Sequence, residues 1–487
     1  MPSKSQAEAM LAKKKSFYLT TTLPYVNAEP HLGHALEFVR ADIIARYKRL
    51  QGFDVFLNTG TDEHGLKVYR KARETGQSPQ KYVDEYADKF KSFVRKLGML
   101  EDLNFIRTTD PHHVAAAQEF WKACLKRGDI YKKSYRIKYC VGCELEKTNS
   151  ELVNGRCPDH PNLELEIIDE ENYFFRFSKY QKPLLDFYER NPSFVIPDFR
   201  FNEIKRFVER GLEDFSISRL KEKMPWGVSM PADPDHVMYV WFDALVNYIS
   251  AIGWPDDLKK FNYWWPVTQY AGKDNLRQQA AMWQAMLMSV GLSPSKQIII
   301  NGFILGEGGV KMSKSLGNVV DPLEIIDEYG VDSLRFYLAR HIHPFEDSEF
   351  TMEKFKIAYN ADLANGLGNL VSRIMKMVED HLDSTLKIPE NTMPQNFKDA
   401  LDRFNIKKAA DIIWREIGRI DEQIQKTEPF KVARAEPEKA KTIIKDLVMK
   451  LYEIGRMLKA IMPKTSEAIE EAVKRNKMPE RPLFGRK

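Results

Sequence analysis

The chain has 487 residues, 43% hydrophobic and 29% charged, which is enough for a sizeable core and two to four domains. A formal net charge of +5 excludes a histone-like polycation, so any nucleic-acid partner must be met by a local basic surface. No run of about 18 apolar residues predicts a membrane span. The opening MPSKSQAEAMLAKKKS lacks the apolar core of a secretory signal. Four cysteines, three of them between 140 and 157, fit a reducing cytoplasm better than a disulfide framework.

Residues 17–22 (FYLTTT) read as a buried strand. Residues 36–50 read as a helix with Leu36, Val39, Ile43, Tyr47 and Leu50 on one stripe, and 54–59 as the next strand. This is a βαβ unit, which places ligands at the carboxyl ends of its strands. Residues 115–230 break the rhythm and read as an insertion. Alternation resumes with MYVWFDAL (238–245), VTQYAG (267–272), a helix at about 275–290 and the strand QIIIN (297–301), followed by the glycine-rich loop GEGGVKMSKSLGN (306–318). From about 360 onward the period is helical, with long stretches at 401–424 and 438–461 that suggest a bundle. The expected fold is α/β: a domain in two halves (1–114 and 231–320), split by an insertion (115–230). A linker (321–359) and an α-helical domain (360–487) follow.

Two segments carry phosphate chemistry. His31-Leu32-Gly33-His34 sits where the first strand's loop enters the first helix. Residues three apart share a helix face, so both imidazoles can face one ligand at a helix N-terminus suited to phosphate. Gly33 allows close approach of a ligand to the backbone. Lys311-Met312-Ser313-Lys314-Ser315 follows a buried strand, and its ammonium and hydroxyl groups suit a triphosphate whose charge shifts during attack at the α-phosphorus. The spacing of a P-loop is absent. Taken singly, each segment is as well read as a solvated surface feature.

Cys140-x2-Cys143 is followed by Cys157-x2-His160. Three thiolates and an imidazole satisfy tetrahedral zinc, and the filled shell argues for a structural ion. Asp159 offers an alternative oxygen beside His160.

The pair HLGH and KMSKS, in this order and about 280 residues apart, resembles the two signatures of class I aminoacyl-tRNA synthetases. The closest resemblance is to methionyl-tRNA synthetases, and it covers nearly the whole chain. It implies a Rossmann-like parallel-sheet catalytic domain split by a zinc-knuckle insertion and followed by an α-helical bundle domain, which activates L-methionine with ATP and magnesium (Mg2+) to methionyl-adenylate and then transfers it to the terminal adenosine of tRNA(Met). By the same resemblance His31, His34, Lys311 and Lys314 are catalytic, with Lys314 stabilising the pentacoordinate transition state. Gly33, Asp274 and Ser313 join them in binding ATP. Leu23 and Tyr25 match a substrate-pocket segment. Asp62, in Gly60-Thr61-Asp62-Glu63-His64-Gly65, matches the residue that receives the methionine ammonium. Trp241, Ala244, Tyr248 and Trp283 match the side-chain pocket, whose aromatic walls suit a polarizable thioether. Gln279 departs from the pattern, standing where many members have histidine. The insertion matches in position a family zinc (Zn2+) knuckle. Asn369 and Arg373 match an anticodon-reading pair, and Phe430 stands where tryptophan is usual, keeping a face for base stacking. Little sequence follows the helical stretch, so no appended oligonucleotide-binding domain is expected and a monomer is the expected state, with no membrane partner and a cytoplasmic setting. Rival readings are a class I enzyme for cysteine or leucine, and a degenerate relative that only binds RNA.

Overall fold

The structure, a computed structural model, describes residues 15–147, 151–310, 312, 319–382 and 393–487. The chain divides into two compact units. The first holds Met1–Pro30, Phe53–Val94 and Glu101–Ile300; the second holds His31–Gly52, Arg95–Leu100 and Asn301–Lys487.

The first unit begins with the parallel strands β1 (Ser16–Thr20), β2 (Asp54–Thr61) and β3 (Asn104–Arg107). A segment with β4 (Ile130–Cys140), β5 (Leu145–Lys147), β6 (Glu166–Phe175), β7 (Val195–Ile196) and β8 (Phe215–Ser216) follows. After it come β9 (Ser218–Leu220), β10 (Ser229–Met230), β11 (Asp233–Met238), β12 (Thr268–Gly272) and β13 (Gln297–Asn301). The central sheet has the order β3-β2-β1-β12-β13-β7, and the pairings β3–β2, β2–β1, β1–β12 and β13–β7 are parallel. Its middle strands are almost wholly buried, as the continuous apolar runs predict. The inserted segment forms a separate antiparallel sheet, β5-β4-β6-β8, whose long β4–β6 ladder runs from Ile130↔Phe175 to Tyr139↔Glu166. The core of the first unit joins Phe120, Trp121, Phe242, Tyr248 and Trp283 into one cluster.

Two sequence expectations are redrawn. MYVWFDAL is not one element: β11 ends at Met238 and a short helix, Val240–Ala244, begins. The helix expected at about 275–290 is composite, with a 3₁₀ turn Lys273–Asn275, a π-turn Gln278–Met282 and an α-helix Trp283–Ser289. Widening of one turn rotates the residues on either side of it, a device found often at functional sites.

The second unit is mainly helical, with one short parallel strand pair, Ile304–Leu305 with Ser348–Glu349, and from about 360 onward its described residues are helical as the periodicity predicts. The helix Leu32–Leu50, four residues longer at its start than the apolar stripe alone indicates, belongs to it. Helices Val331–Arg340, Asn369–His381, Ile406–Thr427 and Pro437–Ile461 build its core. Its centre also holds a buried ion pair: Arg335 donates to Asp42 at 2.6 Å and to the carbonyl oxygens of Leu97, Ala460 and Ile461. Among the described residues no helix is long and apolar enough to cross a membrane.

Candidate functional site

In the first unit the loops after β1 and β2 continue to pair beyond their strands. Asp62 N–H donates to the Pro24 carbonyl at 2.9 Å, and Val26 N–H to the Asp62 carbonyl at 3.2 Å, so Tyr25 and Asp62 form an isolated parallel bridge. Gly65, at φ +110, makes room for this: a Cβ there would lie 2.5 Å from the Tyr25 hydroxyl. Leu23 is half-buried two residues before Tyr25.

Asp62 is 8% exposed, and its Oδ1 has no hydrogen-bond partner among the described residues. Burial pushes its carboxyl well above the usual range; the charges of Asp243, Glu144 and Glu63 add to this, while the His64 backbone opposes it. A buried carboxyl in this state is relieved by a proton or by a cationic donor.

The surroundings of Asp62 are firmly tied. Glu63 accepts from Arg107 at 2.7 and 2.9 Å and from Thr61 at 2.6 Å. Trp226 donates to the Glu63 carbonyl at 2.6 Å. Asp243, fully buried, lies 2.6 Å from His64 Nδ1 and 2.8 Å from His113 Nε2. Burial alone would raise its carboxyl, but the two imidazoles, His64 foremost, outweigh that and bring it down to about 2. Asp243 thereby ties the turn bearing Asp62 to the helix bearing Trp241 and Ala244.

Trp241 packs with Tyr25 against the small cluster of Tyr139, Tyr239 and Val240. Tyr248 lies 6.0 Å from Trp283, ring centre to ring centre. The indole N–H groups of Trp241 and Trp283 are buried without a hydrogen-bond partner among the described residues. Gln279 sits in the π-turn, accepting from Gln269 at 2.8 Å and donating to the Tyr248 hydroxyl at 2.7 Å. Asp274 lies in the turn after β12, accepting from Asn275 at 3.2 Å.

Glu144 escaped the sequence reading. It follows Cys143 at φ +52 and is buried, yet its carboxylate accepts from Tyr25 (3.2 Å), from the Lys67 backbone (2.8 Å) and from Tyr139. A lone carboxylate beside a cysteine gives no signal of this until β4 and β5 fold its turn. His113 escaped for the same reason.

The four metal-ligand candidates meet. Ligand atoms of Cys140, Cys143, Cys157 and His160 all lie within 4.8 Å of one another. Cys143 Sγ is 3.2 Å from His160 Nδ1 and 3.5 Å from Cys157 Sγ. Gly142 admits the imidazole, since a Cβ there would stand 2.5 Å from the His160 ring. Asp159 is farther off, 3.9 Å from Cys143 Sγ. Three soft sulfurs and one imidazole fit a tetrahedral zinc ion.

In the second unit His31 is the N-cap of the helix Leu32–Leu50. Its Nδ1 accepts from Gly33 N–H at 3.1 Å, and its own N–H donates to His34 Nδ1 at 3.3 Å. The two rings stack 3.8 Å apart. Burial, then the neighbouring His31, pushes His34 well below the usual imidazole range, which favours its neutral form. The pair thus meets as expected, one imidazole capping the other's turn. Lys311, Ser313 and Lys314 lie outside the described residues. Asn369 is exposed at the start of the helix Asn369–His381, and Arg373, one turn on, pairs with Asp421 at 2.5 Å. Arg373, Met377, Ile424, Phe430 and Met478 line a groove of about 380 Å³, with the Phe430 ring 48% exposed.

Known proteins resemble this chain in sequence and fold. The family described as tRNA synthetases class I (M) matches residues 17–165 and 161–375. The methionine--tRNA ligase of Thermotoga maritima is 42% identical over 474 residues, covering 93% of this chain and 74% of that protein. That of a Synechocystis species is 40% identical over 478 residues, covering 93% and 88%. A structure of Mycobacterium tuberculosis methionyl-tRNA synthetase in complex with methionyl-adenylate matches with a TM-score of 0.88 at 34% identity, over 97% of this chain and 98% of that one. Within class I, the chain belongs to the methionyl-tRNA synthetase family.

Proposed function

We propose that this chain activates L-methionine with ATP, releasing pyrophosphate, and transfers the methionyl group from the adenylate to the 3'-terminal adenosine of tRNA(Met). The observation that carries it is Asp62, a buried carboxylate with an unpartnered oxygen, beside aromatic walls that suit a thioether. Asp62 receives the methionine ammonium. Tyr25, Leu23, Trp241, Ala244, Tyr248, Gln279 and Trp283 enclose the side chain.

His31 and His34, with Gly33, steady the ATP phosphates at the helix N-terminus, and Asp274 holds the ribose. Lys311, Ser313 and Lys314 act on the phosphates, Lys314 in the transition state. Magnesium accompanies the ATP. A zinc ion held by Cys140, Cys143, Cys157 and His160 would brace the turn that carries Glu144. Asn369, Arg373 and Phe430 read the anticodon. In this reading 1–114 and 231–320 form the catalytic domain, 115–230 the connective insertion, 321–359 a tRNA-stem contact and 360–487 the anticodon-binding domain. Four cysteines, three of them in the metal cluster, fit action in a reducing cytoplasm.

The test is ATP–pyrophosphate exchange run with a panel of amino acids. Methionine-dependent exchange is expected; no exchange with methionine, or faster exchange with another amino acid, refutes the reading.

A further inference from the structure

The carboxylate of Glu144 is a meeting point of three segments. Its backbone stands at φ +52, in the left-handed region that disfavours a residue with a Cβ, and its side chain is buried. Tyr139, near the end of β4, donates to Oε2, and the Lys67 backbone N–H donates to Oε1 at 2.8 Å. Lys67 is the second residue of the helix Leu66–Glu74, whose N-cap, Gly65, has no side chain to offer. Glu144 therefore supplies, from a distant turn, an acceptor that this helix start lacks. Lys67 Nζ also donates to the Gly142 carbonyl at 3.4 Å, tying the same turn to the same helix. Two elements thus fix the carboxylate before its third donor is considered. That donor is the Tyr25 hydroxyl, 3.2 Å from Oε1. The backbone bridge between Tyr25 and Asp62 sets where Tyr25 begins but leaves its ring free to turn. Two features hold the ring: Gly65 leaves the space that the hydroxyl occupies, and Glu144 accepts its hydrogen bond.

We propose that Glu144 is a positioning residue for methionine: through the Tyr25 hydroxyl it holds the Tyr25 ring beside Asp62, and so sets methionine affinity without itself touching methionine. This rests on the methionine-activating reading above. Tyr25 packs with Trp241 against Tyr139, Tyr239 and Val240, so the ring that Glu144 fixes belongs to the same wall as Trp241. The partners of Glu144 among the described residues, Tyr25, Tyr139 and Lys67, include none of those assigned to ATP, so its effect falls on methionine alone.

The experiment measures kcat and the KM values for methionine and ATP in pyrophosphate exchange, with methionine Kd by titration calorimetry. It compares the full chain with Glu144→Ala, Tyr25→Phe, their combination and Glu144→Gln. Loss of a hydrogen bond to a charged group predicts that Glu144→Ala raises methionine KM and Kd about tenfold or more, with kcat and ATP KM within about twofold of the parent. Tyr25→Phe keeps the ring and deletes the hydroxyl, and should also weaken methionine. The combination should be no weaker than Glu144→Ala alone, because both changes act through one contact. Glu144→Gln keeps an oxygen for Tyr25 and Lys67, and should return methionine KM to within about threefold of the parent. A merely structural role would lower the Tm of Glu144→Ala with methionine KM unmoved, or raise both KM values in parallel. Either result overturns the proposal, as does multiplication of the two single effects in the combination. If Glu144→Ala does not fold, Tyr139→Phe, which removes one donor that fixes the carboxylate, decides alone. Methionine KM then rises with ATP KM unchanged if the proposal holds, and stays at the parent value if it does not. Absence of methionine-dependent exchange in the unsubstituted chain would instead refute the function reading, before any variant is compared.

Discussion

Asp62→Asn should make the free protein more stable and the methionine site much weaker. The carboxylate is buried, one oxygen is unpartnered, and the charges that act on it most strongly are the carboxylates of Asp243, Glu144 and Glu63. An unsatisfied buried polar group costs about 1–3 kcal/mol, part of which the neutral isostere recovers. At about 2–4 °C per kcal/mol for domains of about 150–250 residues, the ligand-free Tm should rise by a few degrees. The pH dependence has a definite sign. A carboxyl whose folded-state pKa is raised binds more protons folded than unfolded, so its contribution to stability is lost as pH rises from about 4 through the folded value. The Asp62→Asn substitution removes that component. Methionine's ammonium needs the ionised form, so methionine affinity in the unsubstituted chain falls as pH drops through the same window. A charge-assisted hydrogen bond is worth about 1.5–3 kcal/mol, so Asp62→Asn should raise the methionine Kd about 10- to 150-fold. Differential scanning calorimetry with and without methionine, together with titration calorimetry, measures both halves. A variant that binds methionine within about threefold of the parent, or whose ligand-free Tm drops, would refute the electrostatic account.

Three further outcomes follow from the structure. Asp42→Ala strands the Arg335 guanidinium, which is fully buried, and also removes acceptors for Arg46 and Leu100; a loss of about 3–5 kcal/mol is expected in urea unfolding, partly recovered by adding Arg335→Met. Gly142→Ala places a methyl where the His160 ring stands, so elemental analysis should fall from about one zinc per chain towards none. Retention of the full zinc content would mean that His160 is not the fourth ligand. Arg373→Ala should lower the rate of tRNA charging at least about tenfold at limiting tRNA, in line with a lost charged contact, and leave pyrophosphate exchange within about twofold of the parent. Equal loss of both activities would contradict the assignment of this groove to tRNA.

The elements that could be read in the sequence were those whose signal is local. The apolar run 17–22 and the stripe Leu36–Val39–Ile43–Tyr47 gave β1 and the following helix, because burial of a central strand or of one helix face leaves a period in the chain. The metal cluster was legible because its ligands come in two close pairs. The π-turn at Gln278–Met282 was not, since one inserted residue leaves helix-like composition unchanged. Nor were the Asp42–Arg335 pair and the Asp243–His113 contact, whose partners lie 293 and 130 residues apart. Asp62 was found through its motif, but its state was not: nothing in GTDEHG distinguishes the unpartnered Asp62 from Glu63, next to it, which is satisfied by an arginine and threonine hydroxyls.

Burial of a charge is therefore a poor marker of function in this chain, and its pattern of satisfaction is a better one. Asp42, Glu63 and Asp243 are each fully buried, and each accepts from two or more donors in the chain. They hold elements in register and need nothing from solution. A missing hydrogen bond alone is not sufficient either: the buried Glu170 oxygens lack one, but Lys223 stands 3.5 Å away and balances the charge. At Asp62 both conditions fail together. One oxygen is unpartnered among the described residues, and the side-chain charges that weigh most on it are all negative. Adding a cation there relieves the desolvation and the repulsion at once, which is why a ligand bearing an ammonium group gains more from this carboxylate than from any of its better-satisfied neighbours.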